Sequence, residues 1–296
     1  MDNNWQNWQR RAQARTEVIL ERVLPPAEQL PPTLHEAMRY AVLGGGKRLR
    51  PLLVLAASEL GTPVQAACEA AMAAVECIHV YSLVHDDMPA MDNDSLRRGR
   101  PTCHVRYGEA VALLVGDALQ TLAFELLCND NKLSASRRLR MVRTLAKASG
   151  SLGMAGGQAV DLANTGCTMP QRALERMHRL KTGALIRASV LLGALSCPDL
   201  KDPDFSRLNR YADKLGLAFQ VIDDVLDCEA DTATLGKTAG KDAEADKATY
   251  VKLLGLSAAR AYAESLAIDA VKELAPYDGR ADRLRALAEF TVARRN

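Results

Sequence analysis

Residues 113–127 read LLVGDALQTLAFELL, with leucine at positions 113, 114, 119, 122, 126 and 127. Leucines separated by three or four residues lie on one face of an α-helix. Proline, which ends helices, is absent between Thr102 and Met169, so the pattern is not interrupted over that length. The stretch therefore predicts a helical centre for the chain.

The rest of the chain extends this prediction to one all-α domain. Sustained apolar–polar alternation, which is the signal of strands, is absent. Aromatic residues make up only 4% of the chain, so the core must consist of Ala, Leu, Val, Ile and Met, a mixture that favours helix. No low-complexity linker or internal repeat divides the 296 residues. We expect a single-domain helical bundle of about ten helices over residues 1–296.

Composition and charge exclude several classes of protein. The formal net charge is +2 and no basic block stands out, which argues against nucleic-acid binding. The polar N-terminus lacks the apolar core of a signal peptide, and no apolar stretch reaches the ~18 residues of a membrane helix. Seven cysteines without a Cys-x-x-Cys motif indicate reduced core thiols rather than a zinc site. These features predict a soluble, cytoplasmic protein without a membrane span.

Two acidic clusters are the strongest chemical signals in the sequence. The first acidic cluster spans Asp86–Asp92 and the second spans Asp223–Asp227. In the second, Asp223 and Asp227 share one helix face, where like charges repel unless a cation lies between them. Carboxylate oxygens suit Mg²⁺, which keeps water ligands and shares substrate phosphates. The candidate metal ligands are Asp86, Asp87, Asp92, Asp223, Asp224 and Asp227.

The first acidic cluster requires a break in its helix. Six residues of continuous helix turn through about 600°, which would point Asp92 away from Asp86. Pro89 predicts that the helix ends and that a loop returns Asp92 toward the ion. Each cluster also follows an apolar segment, at residues 78–84 and 215–222. Together they predict an apolar cavity with a metal-binding mouth, suited to a ligand that carries a diphosphate at one end.

Two basic stretches lie beside glycines. Residues 44–46 are all glycine and precede Lys47 and Arg50, and Arg97 and Arg98 precede another glycine. Glycine-rich turns beside positive charge can bind phosphate. The alternative is a helix C-cap followed by a solvated basic turn.

In these motifs the sequence resembles the polyprenyl synthetase family. The resemblance is carried by Gly45–Pro51, Asp86–Asp92 followed by Leu96–Thr102, Gly156–Asp161, Lys181–Gly183, Gln220–Asp227, Leu235–Lys237 and Lys247–Tyr250. Four residues separate the aspartates of the first cluster, as in bacterial farnesyl-type members. The resemblance implies an all-α fold around a central cavity, a homodimer, and about three Mg²⁺ per active site, with Mn²⁺ as a substitute.

The resemblance also assigns roles to individual residues. It implies that the first acidic cluster binds Mg²⁺ from one side and Asp223 from the other, supported by Asp224 and Asp227. The allylic diphosphate would be held by Arg97, Lys181, Gln220 and Lys237, with Lys247 nearby. Isopentenyl diphosphate would be held by Lys47, Arg50, His79 and Arg98. Thr182 and Gln220 would stabilise the developing carbocation, and Asp161 would join the catalytic set.

Several of these residues have a plainer interpretation. His79 lies in an apolar segment and is equally a core histidine, and Asp161 is equally a surface carboxylate on a helix. Lys47 and Arg50 taken alone are ordinary surface charges. His85 adjoins the first acidic cluster, but we expect it to support the cluster rather than bind the metal.

The residue types suit a condensation of two prenyl diphosphates. Breaking the allylic C–O bond releases diphosphate and leaves a carbocation, so cations must stabilise the charge of the leaving group. A dry apolar pocket keeps water from the carbocation. Isopentenyl diphosphate then attacks, and a proton is lost to the departing diphosphate. No side-chain nucleophile is required.

Tyr81 bears on the length of the product. It lies five residues before Asp86, ~7.5 Å along a helix, where its ring could close the floor of the cavity. In the family that the sequence resembles, an aromatic residue there accompanies short products, which implies (2E,6E)-farnesyl diphosphate made from dimethylallyl or geranyl diphosphate. The alternatives are a geranyl- or geranylgeranyl-producing relative, a terpene cyclase and a non-catalytic regulatory subunit. Basic residues for a second diphosphate, Lys47, Arg50 and Arg98, favour condensation over cyclisation.

Overall fold

Helices make up nearly all the regular structure of the chain. The computed structural model describes residues 3–129, 132–167, 169–229 and 249–294. In chain order its α-helices are α1 (Asn3–Val23), α2 (Pro32–Val42), α3 (Leu49–Ser58), α4 (Gln65–Asp86), α5 (Cys103–Tyr107), α6 (Glu109–Cys128), α7 (Ala135–Ser149), α8 (Met154–Ala163), α9 (Gln171–His178), α10 (Ala184–Leu195), α11 (Asp202–Glu229), α12 (Tyr250–Leu254), α13 (Leu256–Glu273) and α14 (Asp282–Ala293). A π-helical segment, Arg179–Gly183, joins α9 to α10, and a 3₁₀ turn, Gly279–Ala281, precedes α14.

The all-α prediction is confirmed, and the estimate of about ten helices was low. Within the described ranges there are fourteen α-helices, because short helices such as α5 and α12 add to the count and a π-helical segment separates α9 from α10. The strands found there are β1 (Leu96–Arg97) and β2 (Arg100–Pro101), which form one antiparallel hairpin. Arg98 and Gly99 turn this hairpin with φ of 52° and 71°, as a type I′ turn requires. Strands of two residues are too short to leave an alternating pattern in the sequence.

Helix α10 lies at the centre of the packing. It contacts α4 on one side and α11 on the other, and α3 and α7 also pack against it. One core cluster surrounds α4, α6 and α7, a second joins α3, α10, α11 and α14, and a third lies between α9, α11 and α13. Helix α4 is buried on nearly all sides, as its apolar composition requires. The two helices that carry the acidic clusters, α4 and α11, therefore both pack against α10.

The end of α4 confirms the predicted break. The helix ends at Asp86, three residues before Pro89, and the chain then folds back on itself. The amide of Asp92 donates to the carbonyl of Asp86 at 2.8 Å, and the amide of Asp94 donates to the carbonyl of Asp87 at 3.0 Å. These two hydrogen bonds return Asp92 to the position predicted for it, beside Asp86.

Two expectations from composition need correction. Helices α4 and α6 are both long and apolar enough to cross a membrane, although we expected no such stretch. Most of α4 is buried in the core, whereas α6 exposes Leu113 and Leu114 at 48% and 53%. The seven cysteines are unpaired as predicted, but only four lie in the core, because Cys128, Cys167 and Cys228 are exposed.

Candidate active site

A cavity of about 600 Å³ opens beside the first acidic cluster. Its polar wall combines residues from four of the sequence motifs, namely Asp86, Arg97, Gln158, Lys181, Thr182 and Asp223. Its apolar wall includes Tyr81, Leu83, Met154, Leu162 and Phe219. We call it the first cavity. The sequence predicted this combination of a charged mouth and an apolar interior.

Asp86 is the most perturbed carboxylate of the first cavity. Its pKa is raised to about 6, chiefly by burial, with a smaller upward contribution from the carboxylates of Asp92 and Asp87 and a downward one from Lys181 and Arg97. A partly desolvated carboxylate holds negative charge poorly, and a bound cation offsets that penalty. The raised pKa therefore makes Asp86 a candidate for binding a cation.

Asp87 and Arg97 form a close ion pair, and Arg97 lines the first cavity. The Nε of Arg97 donates to both carboxylate oxygens of Asp87, at 2.9 and 2.8 Å, and its Nη2 donates to one of them at 2.5 Å. The Asp87 side chain is buried, and burial raises its pKa although Arg97 pairs with it. The pair fixes the guanidinium along the cavity wall. Asp87 holds Arg97 in this state, and its role as a metal ligand stays a prediction.

The π-helical segment carries Lys181 and Thr182 into the first cavity. A π-helical turn inserts one extra residue into a helix, which changes the direction of the side chains around it. The Nζ of Lys181 donates to Oδ2 of Asp161 at 2.6 Å, so the carboxylate orients the amine. Helix α8 can approach because it has glycine at 157, where a Cβ would lie 2.2 Å from the backbone nitrogen of Lys181. Asp161 thus lies at the site and is not a plain surface carboxylate.

A chain of hydrogen bonds connects the π-helical segment to the second acidic cluster. The hydroxyl of Thr182 donates to Oε1 of Gln220 at 2.9 Å, and Nε2 of Gln220 donates to Oδ1 of Asp224 at 3.1 Å. The other carboxylate oxygen of Asp224 accepts from the amide of Tyr250 at 2.8 Å. Asp224 is buried and orients Gln220, while Asp223 is the member of this cluster that lines the first cavity.

A second cavity, of about 320 Å³, adjoins the first. Both share Arg50, His79, Arg98 and Phe219 in their walls, and the second adds Lys47 and Arg294. Burial lowers the pKa of Lys47 and Arg50, and burial together with Arg50 and Arg98 lowers the pKa of His79 well below its usual value. A neutral His79 beside several cations makes an anion-binding site. The four residues predicted to bind isopentenyl diphosphate lie together in this wall.

Sequence reasoning missed Arg294, the last residue that the structure describes. Its Nη2 donates to Oδ1 of Asp223 at 2.6 Å and to the carbonyl of Phe219 at 3.0 Å. Its guanidinium carbon also lies 4.0 Å from the centre of the Phe219 ring. The C-terminal region carries no motif, and its only signal was a pair of arginines near the end of the sequence.

Tyr81 lines the first cavity from α4, five residues before Asp86. Its ring is buried, packs edge-on against His85 at 5.8 Å between ring centres, and shares a hydrogen bond with the side chain of Gln120. The Nε2 of His85 donates to the carbonyl of Leu113 at 3.0 Å. His85 therefore supports Tyr81 and the base of the cavity, in keeping with the supporting role expected for it.

The donor set fits a magnesium ion that also binds substrate. In the described ranges no three His, Cys, Asp or Glu side chains lie close enough to enclose a metal on their own. Mg²⁺ needs no such enclosure, because it is commonly held by one or two carboxylates, waters and substrate phosphates. Asp86 and Asp223 supply such carboxylates to the first cavity. Lys237 and Lys247 lie outside the described residues, and the predicted metal-binding role of Asp227 stays a prediction.

Comparison with known proteins agrees with these motifs. Residues 31–278 match a protein family described as polyprenyl synthetase. The chain is 53% identical to the farnesyl diphosphate synthase of Escherichia coli over 264 residues, which cover 88% of each chain. Its fold superposes on the crystal structure of an FPP/GFPP synthase from Zymomonas mobilis with a TM-score of 0.89 and 41% identity, covering 98% of this chain and 100% of that one. It also matches a geranyltransferase from Helicobacter pylori, complexed with magnesium and isoprenyl diphosphate, with a TM-score of 0.86 and 34% identity over 98% of both chains. The chain belongs to the polyprenyl synthetase family.

Proposed function

We propose that this prenyltransferase condenses isopentenyl diphosphate with dimethylallyl or geranyl diphosphate, head to tail, to give (2E,6E)-farnesyl diphosphate. The observation that carries the proposal is the pair of adjoining cavities. Each has cationic side chains at its wall, and the two meet at Arg50, His79, Arg98 and Phe219. Two diphosphates can therefore bind with their hydrocarbon ends close together, as a condensation requires.

The first cavity binds the allylic substrate. Arg97, fixed by Asp87, and Lys181, fixed by Asp161, hold the diphosphate between them. Asp86, Asp92 and Asp223 would hold Mg²⁺, which when bound would supply further positive charge to the leaving diphosphate. Both cationic side chains are already oriented by carboxylates, so little reorganisation is needed as negative charge develops on the diphosphate.

The oxygens of Thr182 and Gln220 lie beside the place where the carbocation forms. The Thr182 hydroxyl donates to Gln220, which leaves its own lone pairs available toward the positive carbon. Met154, Leu162 and Phe219 exclude water from that carbon. The second substrate attacks from the second cavity, where Lys47, Arg50, His79 and Arg98 hold its diphosphate. The proton released on attack passes to the departing diphosphate.

We expect Tyr81, whose buried ring lines the first cavity, to limit the length of the product. The experiment incubates the purified protein with labelled isopentenyl diphosphate and geranyl diphosphate, with and without Mg²⁺, and sizes the dephosphorylated products. We expect a fifteen-carbon alcohol that depends on Mg²⁺. Tyr81→Ala should shift the product to twenty carbons or more, while Tyr81→Phe keeps the ring and should leave the product unchanged.

The other outcomes separate the alternatives. A twenty-carbon product from the wild type would favour a geranylgeranyl-producing enzyme and place the floor elsewhere. A cyclic product without consumption of isopentenyl diphosphate would indicate a terpene cyclase. No turnover from folded protein would indicate a regulatory subunit, and the two acidic clusters would then have no catalytic role.

We also infer a cytoplasmic homodimer that uses the exposed face of α6. Leu113 and Leu114 lie on that face, and Val105 of α5 is exposed nearby in the sequence at 52%. Apolar side chains of this size in a row mark an interface more often than free surface. We expect sedimentation to show a dimer that Leu113→Asp with Leu114→Asp disrupts. Leu139→Asp on α7, exposed at 67%, is the matched control and should leave the dimer intact.

A further inference from the structure

Arg48 lines the second cavity but is not among the residues assigned to a substrate. It lies between Lys47 and Arg50, both of which line the second cavity and are assigned to isopentenyl diphosphate. The Arg48 side chain is fully buried, with 0% exposure. Its backbone has φ of 53°, the left-handed conformation that is costly for a residue with a side chain. Such a conformation persists only when surrounding contacts hold it.

Three separate elements supply those contacts. The Nε and Nη2 of Arg48 donate to the two carboxylate oxygens of Glu17 on α1, at 2.7 and 3.0 Å. Its Nη1 donates to Oε1 of Glu76 on α4 at 2.7 Å, and its Nη2 donates to the carbonyl of Val42 at the end of α2 at 2.7 Å. Every nitrogen of the guanidinium thus has a protein acceptor. Although Arg48 borders the second cavity, its guanidinium is held by these protein acceptors.

Glu76 is the buried partner in this arrangement. Its side chain is 2% exposed, compared with 40% for Glu17, and it lies one helical turn before His79 on α4. Its second oxygen, Oε2, is buried without a hydrogen-bond partner in the described structure. It is the carboxylate among the residues that line the second cavity, and its charge acts on Arg50 and Arg98 as well as on Arg48. Glu76 therefore connects the helix that carries His79 to the loop that carries Lys47.

The glycine loop, residues 44–48, is also held from its other side. The Nη1 of Arg98 donates to the carbonyl of Gly45. A Cβ on Gly46, whose φ is 136°, would lie 2.8 Å from the guanidinium of Arg98. Arg98 can lie on the loop only because there is no side chain at this position. The loop is consequently fixed between a buried arginine and an arginine of the cavity wall.

We propose that Arg48 and Glu76 form a positioning pair that fixes the glycine loop so that Lys47 and Arg50 bind the diphosphate of the second substrate. In this proposal the pair acts through the loop and not through direct binding of the substrate. This inference rests on the proposed function, because it assumes that isopentenyl diphosphate occupies the second cavity. It goes beyond that function in assigning a role to two residues outside the binding set.

The test replaces both charges at once, with Arg48→Met and Glu76→Leu in one variant. One positive and one negative charge are removed, so the net charge near the second cavity is unchanged. Replacing a buried ion pair by apolar residues of similar size commonly preserves stability. A displaced binding group can cost up to ~100-fold, and we expect the KM for isopentenyl diphosphate to rise by about ten-fold. The KM for geranyl diphosphate should stay within about two-fold.

Two further variants keep the test decisive. Arg48→Lys keeps the charge but loses the fork of hydrogen bonds, and it should give a smaller rise confined to isopentenyl diphosphate, even if the double variant fails to fold. Glu17→Gln removes the half-exposed partner, keeps the Arg48–Glu76 bond and should change neither KM by more than about two-fold. If folded variants of Arg48 leave both KM values unchanged, or raise both equally, the positioning pair is refuted.

Binding of isopentenyl diphosphate alone, followed by calorimetry, separates this inference from the proposed function. A wild type that binds it without forming product, while the double variant binds it about ten-fold more weakly, would support the pair and overturn the condensation. Normal condensation by the wild type, with unchanged binding of isopentenyl diphosphate to the double variant, would support the condensation and overturn the positioning pair.

Discussion

The proposed metal-binding role of Asp86 connects metal affinity to the pH of the solution. Its pKa in the metal-free protein is raised to about 6, chiefly by burial, so below that pH it holds a proton that a cation must displace. We therefore predict that Mn²⁺, used as a spectroscopic substitute for Mg²⁺, binds about ten-fold more weakly at pH 5 than at pH 7. Electron paramagnetic resonance of free Mn²⁺ measures this directly.

The matched control for this prediction is a neutral side chain of the same shape. Asp86→Asn should bind Mn²⁺ weakly at both pH values and lose most of the pH dependence. Asp269→Asn, on the exposed surface of α13, should behave as the wild type. If wild-type affinity is the same at pH 5 and pH 7, Asp86 either is not a ligand or is not protonated in the empty site.

At the scale of residues, the sequence predicted which residues lie near the cavities better than it predicted which of them contact one another. The return of Asp92 to Asp86 followed from Pro89, a local signal. The ion pair of Asp87 with Arg97 depends on a hairpin whose strands have two residues each, and nothing in the motif requires it. The contact of Arg294 with Asp223 joins residues 71 positions apart, and such pairs depend on the completed fold.

At the scale of elements, the junction of α9 and the π-helical segment contains a buried histidine. His178 is 6% exposed, stacks on Tyr250 of α12 at 5.7 Å, and has no hydrogen-bond partner on either ring nitrogen in the described structure. Burial lowers its pKa to about 4, and Asp161 and Lys181 contribute smaller, opposing effects. The folded protein therefore keeps this ring neutral at pH values where an exposed imidazole is charged.

The effect of pH on stability has a sign that follows from the pKa of His178 in the unfolded and in the folded protein. The unfolded chain takes up a proton near pH 6.5 and the folded protein only near pH 4, so His178 favours folding above pH 6.5. That contribution is lost as the pH falls from 6.5 to 4. The loss amounts to ~2–3 kcal/mol of unfolding free energy, from ~1.4 kcal/mol per pKa unit. We predict that His178→Phe, which keeps an aromatic ring against Tyr250, loses this part of the acid sensitivity.

Urea denaturation at pH 7.5, 6, 5 and 4.5 checks this prediction through the difference between wild type and variant. The comparison with the variant is needed because Asp86, whose pKa is raised in the folded protein, changes the unfolding free energy with pH in the opposite direction. Wild type and His178→Phe should differ most in slope between pH 6 and 4.5. Parallel curves would show that His178 is protonated in the folded state near its usual pKa.

Helix boundaries were predictable where a single residue imposes them, as Pro89 does for α4. The π-helical segment Arg179–Gly183 was not, because its residues, RLKTG, have no pattern that separates it from the helices on either side. Its presence follows from packing, since glycine at positions 157 and 216 lets α8 and α11 approach its backbone. The sequence could therefore identify Lys181 and Thr182 as site residues without indicating how the helix turns them inward.

At the scale of the whole molecule, the first cavity lies between helices from different parts of the core. Asp86 belongs to α4, which packs in the first core cluster, and Asp223 belongs to α11, which packs in the second and third. The all-α class was predictable from composition, and an apolar cavity with a charged mouth was predictable from the two acidic clusters. The order of packing, with α10 between α4 and α11, was not, because apolar helices of similar composition can pack in many arrangements.

This arrangement predicts that ligand binding stabilises the entire fold. A ligand held by both Asp86 and Asp223 binds the folded protein and not the unfolded chain, in which these residues are far apart. At 100 times the dissociation constant it adds ~2.7 kcal/mol, which for a chain of this length raises Tm by roughly 5 °C. We expect Mg²⁺ with geranyl thiodiphosphate, a non-ionising analogue, to give this shift, and either one alone to give much less. Calorimetry of wild type, Asp223→Asn and the surface control Asp269→Asn measures this shift in Tm.

Asp223→Asn should lose the shift, because the metal then has no carboxylate on α11 and the two helices are no longer joined through the ligand. An equal shift from the analogue without Mg²⁺ would mean that Arg97 and Lys181 bind the diphosphate alone and that the two acidic clusters act independently.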